Sequence, residues 1–189
     1  MQNKISPIIS AVSNISKKST NKIADIAEYK HYKKGELITL VGQKNNLEYF
    51  ITDGICRSFL STPDGEDITI SFFMSNSIIS PSTTRNKEGK SVINIQALTD
   101  VEVATIDATE FEKLMIEDLE IRDFGNSVLR NELMAKVQKE IALASLKGKD
   151  RLRLLRKNFP NIENQIPHAD IASYLGITPI SLSRLRTKS

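Results

Sequence analysis

The sequence has 189 residues, of which 26 are lysine or arginine, 23 are aspartate or glutamate, and 40% are hydrophobic. This length and mixed charge exclude wholesale disorder and suit one large or two small globular domains. One cysteine, Cys56, excludes an internal disulfide and an iron–sulfur cluster, and the two histidines, His31 and His168, are too few for a multi-histidine metal site. Because the sequence has neither a bilayer-spanning apolar run nor a signal-peptide pattern, we expect a cytoplasmic protein without cofactors or a membrane partner.

Charge is distributed unevenly along the chain. Residues 147–189 contain nine basic and three acidic residues, a net charge of +6, so residues 1–146 carry a net charge of −3. A basic C-terminal segment on an acidic body is typical of a protein that binds a polyanion through that segment. A solvated basic helix face explains the same composition equally well.

The first hundred residues change from a helical to a strand-like pattern. Residues 1–30 have isoleucines at helical spacing, which predicts a polar helix. Short runs rich in β-branched and aromatic residues follow, bounded by turn residues such as Asp53-Gly54 and Pro63-Asp64-Gly65. The predicted strands are Leu37–Val41, Glu48–Thr52, Cys56–Ser61, Asp67–Phe73, Val92–Leu98 and Val101–Ile106. Short strands without helices between them indicate an antiparallel sandwich or barrel.

From Asp107 onward the pattern is helical. Asp107 and Glu110 have the spacing of a capping box, which predicts a short helix there. A longer helix is predicted over residues 121–146, with Gly125-Asn126 as a candidate break. Its apolar positions lie mostly three or four residues apart: Phe124, Val128, Leu133, Val137, Ile141 and Ala144. Such a helix packs either on its own domain or on a second copy, and periodicity alone slightly favours its own domain.

A hinge is predicted at residues 146–150. In this interpretation Gly148 ends the long helix and Asp150 caps the next one. That helix continues to Phe159 and stops at Pro160.

The last 24 residues carry the most specific pattern in the chain. The first of two short helices has one apolar face, formed by Ile171, Ala172 and Leu175. Gly176 supplies a left-handed residue after this helix, while Thr178 and Pro179 are a good N-cap and first residue for the next. Two helices joined by so tight a turn are typical of a helix-turn-helix, whose second helix enters the major groove of DNA.

The second helix has an inward and an outward side. Leu182 and Leu185 share the inward side, and the outward and flanking residues are predicted to contact DNA: Thr178, Ile180, Ser181, Ser183, Arg184 and Arg186. Arginine pairs with guanine or phosphate, and serine forms weaker contacts of both kinds. An ordinary helical hairpin with solvated arginines is the alternative, which the specificity of the pattern disfavours.

These residues resemble a known family. Ala172, Leu175-Gly176-Ile177-Thr178 and Ser181–Arg184 resemble the C-terminal helix-turn-helix of Crp/Fnr-type bacterial transcription regulators. The middle of the chain is similar to the cyclic-nucleotide-binding β-roll of that family and to the helix that leaves it. The matching segments are residues 33–36, 49–54, 64–69 and 97–103, followed by 107–115.

The resemblance implies an α+β architecture in three parts. Residues 1–118 would form an antiparallel, jelly-roll-like β-roll sensor, residues 119–147 a dimerisation helix with its hinge, and residues 148–189 an all-α helix-turn-helix domain. The implied function is that of a non-enzymatic transcription regulator that reads a pseudo-palindromic DNA site as a homodimer. RNA polymerase is a further candidate partner, and the resemblance leaves the small-molecule effector unidentified. It also places Arg184 at a base-contacting position and His168 at a phosphate-contacting one, although an exposed loop histidine fits the sequence equally well.

Two departures from the family limit what the resemblance implies. Cyclic-nucleotide-binding members have Gly-Glu and Arg-Ser/Thr-Ala in a phosphate cassette, where this chain has Ser77–Pro81 and Gly89–Ile93. Arg85 and Lys90 are expected to be solvated loop charges, so we expect that cyclic AMP does not control the protein. The sequence ends three residues after Arg186, so we expect no downstream wing and assign phosphate anchoring to helix N-termini, Lys188 and residues 147–157.

Two other functions are alternatives for this sequence. A cupin-type metal enzyme needs several histidines inside a barrel, and only His31 lies in or near the predicted strands, so this function is disfavoured. A ligand-sensing or protein-interaction module that does not bind DNA is the main alternative, and salt-dependent binding to duplex DNA would discriminate against it. Cys56, within a strand, is predicted to be a packed core residue.

Overall fold

The computed structural model describes residues 4–187, which form an α+β chain. The helices are α1 (Ser6–Val12), α2 (Lys17–Asp25), α3 (Ala108–Glu117), α4 (Leu119–Ser145), α5 (Gly148–Asn158), α6 (His168–Tyr174) and α7 (Pro179–Thr187). The strands are β1 (Glu28–Tyr32), β2 (Leu37–Thr39), β3 (Leu47–Asp53), β4 (Ile55–Ser61), β5 (Asp67–Met74), β6 (Ser77–Ile79), β7 (Asn94–Ala97) and β8 (Val101–Asp107). Within residues 4–187, none of the helices combines the length and apolarity needed to span a membrane.

The strands form two antiparallel four-stranded sheets, so the predicted fold class is confirmed. One sheet has the order β1-β8-β3-β6 and the other the order β2-β7-β4-β5. β4 and β5 pair from Ile55 with Met74 to Ser61 with Asp67, and Gly65 in the connecting turn has φ +83°. Residues facing between the sheets form a common core: Tyr49, Ile51, Cys56, Ile79, Ile95, Ala97, Val101 and Val103. Cys56 is fully buried there, and burial raises the pKa of its thiol to about 12, as expected for a packed core residue.

The helical pattern predicted for residues 1–30 corresponds to two short helices, and the prediction is wrong only at its end, where residues 28–30 belong to β1. Ser16 accepts a hydrogen bond from the Ser19 backbone N–H and caps a second helix, so α1 and α2 are separate. Residues after α2 extend into β1, which pairs with β8 along its whole length. β1 and β6 were not predicted because one is polar and the other has three residues, so neither shows a clear apolar alternation.

The long helix is continuous, and the candidate break at Gly125-Asn126 is wrong. α4 runs from Leu119 to Ser145, with the Asp118 side chain accepting a hydrogen bond from the Glu120 N–H at its start. Gly125 is buried at the point where Met115 of α3 lies against α4, and a Cβ there would collide with the Met115 sulfur. This glycine therefore provides room for α3 and does not end a helix.

The connection between α4 and α5 also differs from the prediction. α4 ends at Ser145, Leu146 and Lys147 are extended, and Gly148 is the first residue of α5. Gly148 thus starts a helix, and a Cβ there would lie 3.3 Å from Ile177. Asp150 occupies the first turn of α5 and does not cap it, although its negative charge there complements the helix dipole.

Two further cores lie outside the sheet sandwich. Apolar residues of α1–α4 pack on the outer face of β3 and β8, with Phe124 of α4 stacked on Phe50 of β3 at 6.5 Å between ring centroids. A second core joins the C-terminal helices to the outer face of β4 and β5. It includes Ile55, Phe72 and Leu98 from the β-roll together with Leu152, Leu155, Ile171, Leu175 and Leu182 from the helices.

Candidate nucleic-acid interface

The C-terminal helices form the geometry that the sequence predicts. α6 ends at Tyr174, and Gly176 has φ +62°, the left-handed conformation that lets the chain turn. The Ser181 backbone N–H donates a 3.1 Å hydrogen bond to Thr178 Oγ1, so Thr178 caps α7. Leu182 is buried and Leu185 packs on the same core, which fixes the inward side of α7.

The opposite side of α7 faces solvent. The exposed residues are Thr178, Pro179, Ile180, Ser183, Arg184 and Thr187. Ile180 is 66% exposed although it is apolar, and Arg184 projects from the following turn. Ser181 lies at the edge of this surface, where its hydroxyl accepts a hydrogen bond from Thr178. The surface thus combines an apolar side chain, hydroxyls, a guanidinium and the capped N-terminus of a helix.

Arg186 and His168 belong to a network beside this surface. Glu163 accepts hydrogen bonds from Arg186 Nε at 3.0 Å and from Arg156 Nε at 2.6 Å, and these arginines hold the pKa of Glu163 below its ordinary value. His168 places Nε2 3.0 Å from the Glu163 carbonyl and Nδ1 3.2 Å from Arg186. The network fixes the N-terminus of α6 relative to α7. Lys188 lies outside the described residues.

The basic segment at residues 147–157 divides into two groups. Arg151 donates to the carbonyls of Leu143 and Leu146, and so closes the C-terminal end of α4. Arg156 is held by Glu163. The side chains of Lys147, Lys149, Arg153 and Lys157 are exposed and form the positive surface of α5.

The first helix of the helix-turn-helix docks on the β-roll, a contact that the sequence did not reveal. Arg57 of β4 is buried and lies between Asp67 of β5 and Asp170 of α6, with an N–O distance of 2.6 Å to each carboxylate. Residues separated by more than one hundred positions meet here. Local periodicity contains no signal for such a contact.

Helix α4 has two opposite faces in its second half. One face is held against the β-roll by Glu132, which accepts a 2.6 Å hydrogen bond from Thr83, and by Lys139, which donates to the carbonyl of Ile70. The other face is exposed and apolar, with Met134, Val137, Ile141 and Ala144 at spacings of three, four and three residues. Leu133, at its edge, is also exposed.

Residues 77–93 lie where cyclic-nucleotide-binding relatives have their phosphate cassette, and here their side chains contact other residues of the protein. Ser80 follows β6 and donates a 3.3 Å hydrogen bond to Glu48. Arg85 donates to the side chain of Asn46, and Lys90 lies 3.2 Å from Glu88. Arg85 is therefore partly buried and engaged, although the sequence predicted a solvated loop charge, while Lys90 is half-exposed and agrees with that prediction.

Comparisons with known proteins identify the β-roll and the overall architecture. A profile of the cyclic nucleotide-binding domain family matches residues 29–118. A comparison with curated protein sequences finds no significant match.

Solved structures resemble the chain over most of its length. FixK2 from Bradyrhizobium japonicum superposes with a TM-score of 0.74 at 19% identity, covering 86% of this chain and 84% of that one. CLP from Xanthomonas campestris, a c-di-GMP-responsive global regulator, gives 0.71 at 15% identity over 92% and 91%. A protein from Eubacterium rectale described as a Crp/Fnr-family transcriptional regulator gives 0.67 at 18% identity over 92% and 83%. Residues 29–118 therefore match the cyclic nucleotide-binding domain family, within a chain that has the fold of Crp/Fnr-type regulators.

Proposed function

We propose that the protein is a transcription regulator that binds duplex DNA through α7, as a homodimer, without control by cyclic AMP. The observation that carries this proposal is the solvent-facing side of α7, on which Ile180, Ser183 and Arg184 are exposed beside a capped helix start. A helix of nine residues held on its inner side by Leu182 has the shape that fits the major groove.

The roles of the individual residues follow from their chemistry. Arg184 would pair with a guanine edge, since its guanidinium offers two parallel donors. Ile180 would contact a thymine methyl group, and Ser183 either a base or a phosphate. The positive dipole end at the start of α7 would meet a backbone phosphate together with Lys188. His168 would contact a phosphate only after it releases its contacts with Glu163 and Arg186.

The basic face of α5 would supply the electrostatic part of the affinity. Lys149, Arg153 and Lys157 are exposed there. Arg186 would act less directly than the sequence suggested, because Glu163 already neutralises it. Lysine and arginine contacts to phosphates release counterions and make the affinity fall with salt.

The second half of α4 would form the dimer seam. Its exposed residues Met134, Val137, Ile141 and Ala144 repeat every seven residues, the pattern of a two-stranded coiled coil, on the face opposite the one that contacts the β-roll. In this arrangement residues 1–118 are the sensor, 119–147 the seam and hinge, and 148–189 the DNA-binding domain. RNA polymerase remains a candidate partner of the complex.

Duplex binding is tested with a fluorescent double-stranded DNA of random sequence, titrated at several salt concentrations and followed by anisotropy. We expect the logarithm of the association constant to fall linearly with the logarithm of the salt concentration, by about 0.9 for each phosphate contacted. Binding that is absent, or that does not depend on salt, would contradict the proposal and favour a module that binds protein.

The variant Arg184→Ala then shows whether Arg184 contacts a base or a phosphate. On a preferred site obtained by selection, the variant should lose about 1–3 kcal/mol and relax the preference at one base pair in each half-site. Lys188→Ala should weaken binding to all sequences alike. Lys113→Ala, on the exposed surface of α3, should change neither the affinity nor the sequence preference. If Arg184→Ala instead lowered the affinity equally for all sequences, Arg184 would contact a phosphate and not a base.

A further inference from the structure

We propose that Asp170 is a positioning residue, whose ion pair with Arg57 of the β-roll fixes the spacing between the two half-sites read by a dimer. The inference rests on the proposed function. It concerns the docked face of α6, which lies apart from the exposed face of α7.

The ion-pair cluster beneath α6 is built into the β-roll. Arg57 is only 6% exposed, and its Nε also donates a 3.0 Å hydrogen bond to Gln96, so contacts within the β-roll alone hold the guanidinium in one orientation. Asp170, in the first turn of α6, accepts from Nη1, and Asp67 accepts from Nη2. Because a buried guanidinium needs partners on each side, the position of Arg57 defines where the first turn of α6 must lie.

The backbone of β5 supplies a second point of attachment. β5 is the outermost strand of its sheet, so one edge of its backbone faces away from β4. Ser173 of α6 accepts a 2.9 Å hydrogen bond from the Thr69 N–H and donates a 3.0 Å bond to the Asp67 carbonyl. One serine hydroxyl thus takes the place that a neighbouring strand would have.

Aromatic packing closes the contact at a third point. The Tyr174 ring lies 4.9 Å from the ring of Phe72 and 6.1 Å from that of Phe159, measured between centroids. Lys139 of α4 places Nζ 3.9 Å from the centre of the Tyr174 ring. Three separate attachments leave α6 little rotational freedom relative to β5 and α4.

A fixed orientation has a direct consequence for DNA binding. Two recognition helices on B-DNA must lie about 34 Å apart, one helical turn. If each helix-turn-helix is held by its own β-roll, this separation exists before DNA binds, and less conformational freedom is lost on binding. If docking is loosened, each domain moves on the extended residues Leu146 and Lys147, so sites with other spacings become acceptable.

Charge reversal provides a matched pair of variants. Asp170→Arg places a second guanidinium against Arg57, whereas Asp67 still pairs with Arg57 inside the β-roll. Asp150→Arg makes the same charge change in the first turn of α5, where Asp150 forms an exposed pair with Arg153. Asp170→Asn is a milder variant that removes the interdomain charge pair without repulsion.

The experiment measures affinity for palindromes built from the selected half-site, with the central spacing varied by one to four base pairs. Wild type and Asp150→Arg should prefer one spacing by at least about tenfold, a difference of about 1.4 kcal/mol. Asp170→Arg should flatten this profile by lowering affinity for the preferred spacing, and Asp170→Asn should do so partially. A profile that keeps its preferred spacing in both Asp170 variants would overturn the assignment. Tighter binding of both variants at every spacing would also overturn it, because docking would then oppose DNA binding.

Amide hydrogen exchange reports on docking independently of DNA. The Thr69 N–H should exchange faster in Asp170→Arg than in wild type or Asp150→Arg, because its acceptor Ser173 moves away. Unchanged exchange would overturn the role of Asp170 in docking. A wild-type protein that binds no duplex refutes the proposed function as well, whereas wild-type binding with an unaltered spacing profile in the variants refutes only this inference.

Discussion

Glu48 shows how one buried side chain can make stability depend on pH. It lies on β3, facing α3 and α4, and accepts a hydrogen bond from Ser80. Burial raises the pKa of Glu48 to about 7; Arg85 opposes the shift, while Glu132 and Glu112 add to it. The folded protein therefore favours the neutral carboxyl, which donates and accepts hydrogen bonds without carrying a desolvated charge.

The sign of the resulting pH dependence follows from linkage. The pKa of Glu48 is higher in the folded than in the unfolded state. The contribution of Glu48 to the free energy of unfolding is therefore fully present below about pH 4.5 and is lost as the pH rises through about 7. Glu48→Gln, which keeps the shape and remains neutral, should therefore raise the free energy of unfolding at about pH 8 by about 1–3 kcal/mol relative to wild type. Urea unfolding of both proteins at about pH 4.5 and pH 8 measures this, and an equal difference at the two pH values would contradict it.

Residues whose role is local could be predicted from the sequence, and those with distant partners could not. Thr178 and Gly176 were predicted because capping and turn formation involve neighbours within three residues. The partner of Arg186, Glu163, lies 23 positions away, and Arg57 meets Asp170 across 113 positions. Long-range pairs depend on how the elements pack, which a single sequence does not display.

The structure of α4 explains why periodicity alone allowed two interpretations, packing on its own domain or packing on a second copy. Its first half packs on the β-roll through Ile121 and Phe124, whereas Val137 and Ile141 in its second half are exposed. Apolar spacing is similar in both halves, so the sequence could not say where the intramolecular core ends. The regular strands were predicted because they combine apolar alternation with bounding turns, and β1 and β6 were missed because they lack a clear apolar alternation.

The exposed half of α4 predicts the effect of a charge on the seam. Val137→Asp and Ile141→Asp should give monomers, because each would bury a carboxylate in an apolar helix–helix contact. Ala135→Asp places the same charge on an exposed position away from the seam and should leave the dimer intact. Sedimentation at about micromolar concentration measures the oligomeric state, and a monomeric wild type would contradict the seam.

In the molecule as a whole, two observations disagree about the effector. The family match suggests a cyclic nucleotide, whereas the side chains of the β-roll do not favour one. The domain family binds cyclic nucleotides, yet Thr83 and Glu132 connect the cassette segment directly to α4, and Arg85 is engaged by Asn46. The carboxylate of Glu132 beside this segment would repel a cyclic phosphate. The architecture could thus be predicted from the order of motifs, whereas the expectation of weak cyclic-nucleotide binding rests on particular side chains.

Cyclic AMP and cyclic GMP should consequently bind weakly. Isothermal titration calorimetry is expected to show dissociation constants above about 1 mM for both, corresponding to less than about 4 kcal/mol of binding free energy. A low-micromolar constant for either nucleotide would show that another set of residues replaces the missing cassette.

Selection of DNA sites from a random pool tests whether the protein recognises a specific palindrome. The purified protein is mixed with a pool of duplexes with a randomised central region, and bound molecules are recovered, amplified and sequenced. We predict enrichment of one short sequence present twice in inverted orientation, with centres about 10–11 base pairs apart, and loss of one specified base pair in each half when Arg184→Ala replaces wild type. A pool that remains random after several rounds, with wild-type protein folded and dimeric, would show that α7 does not read a specific DNA sequence.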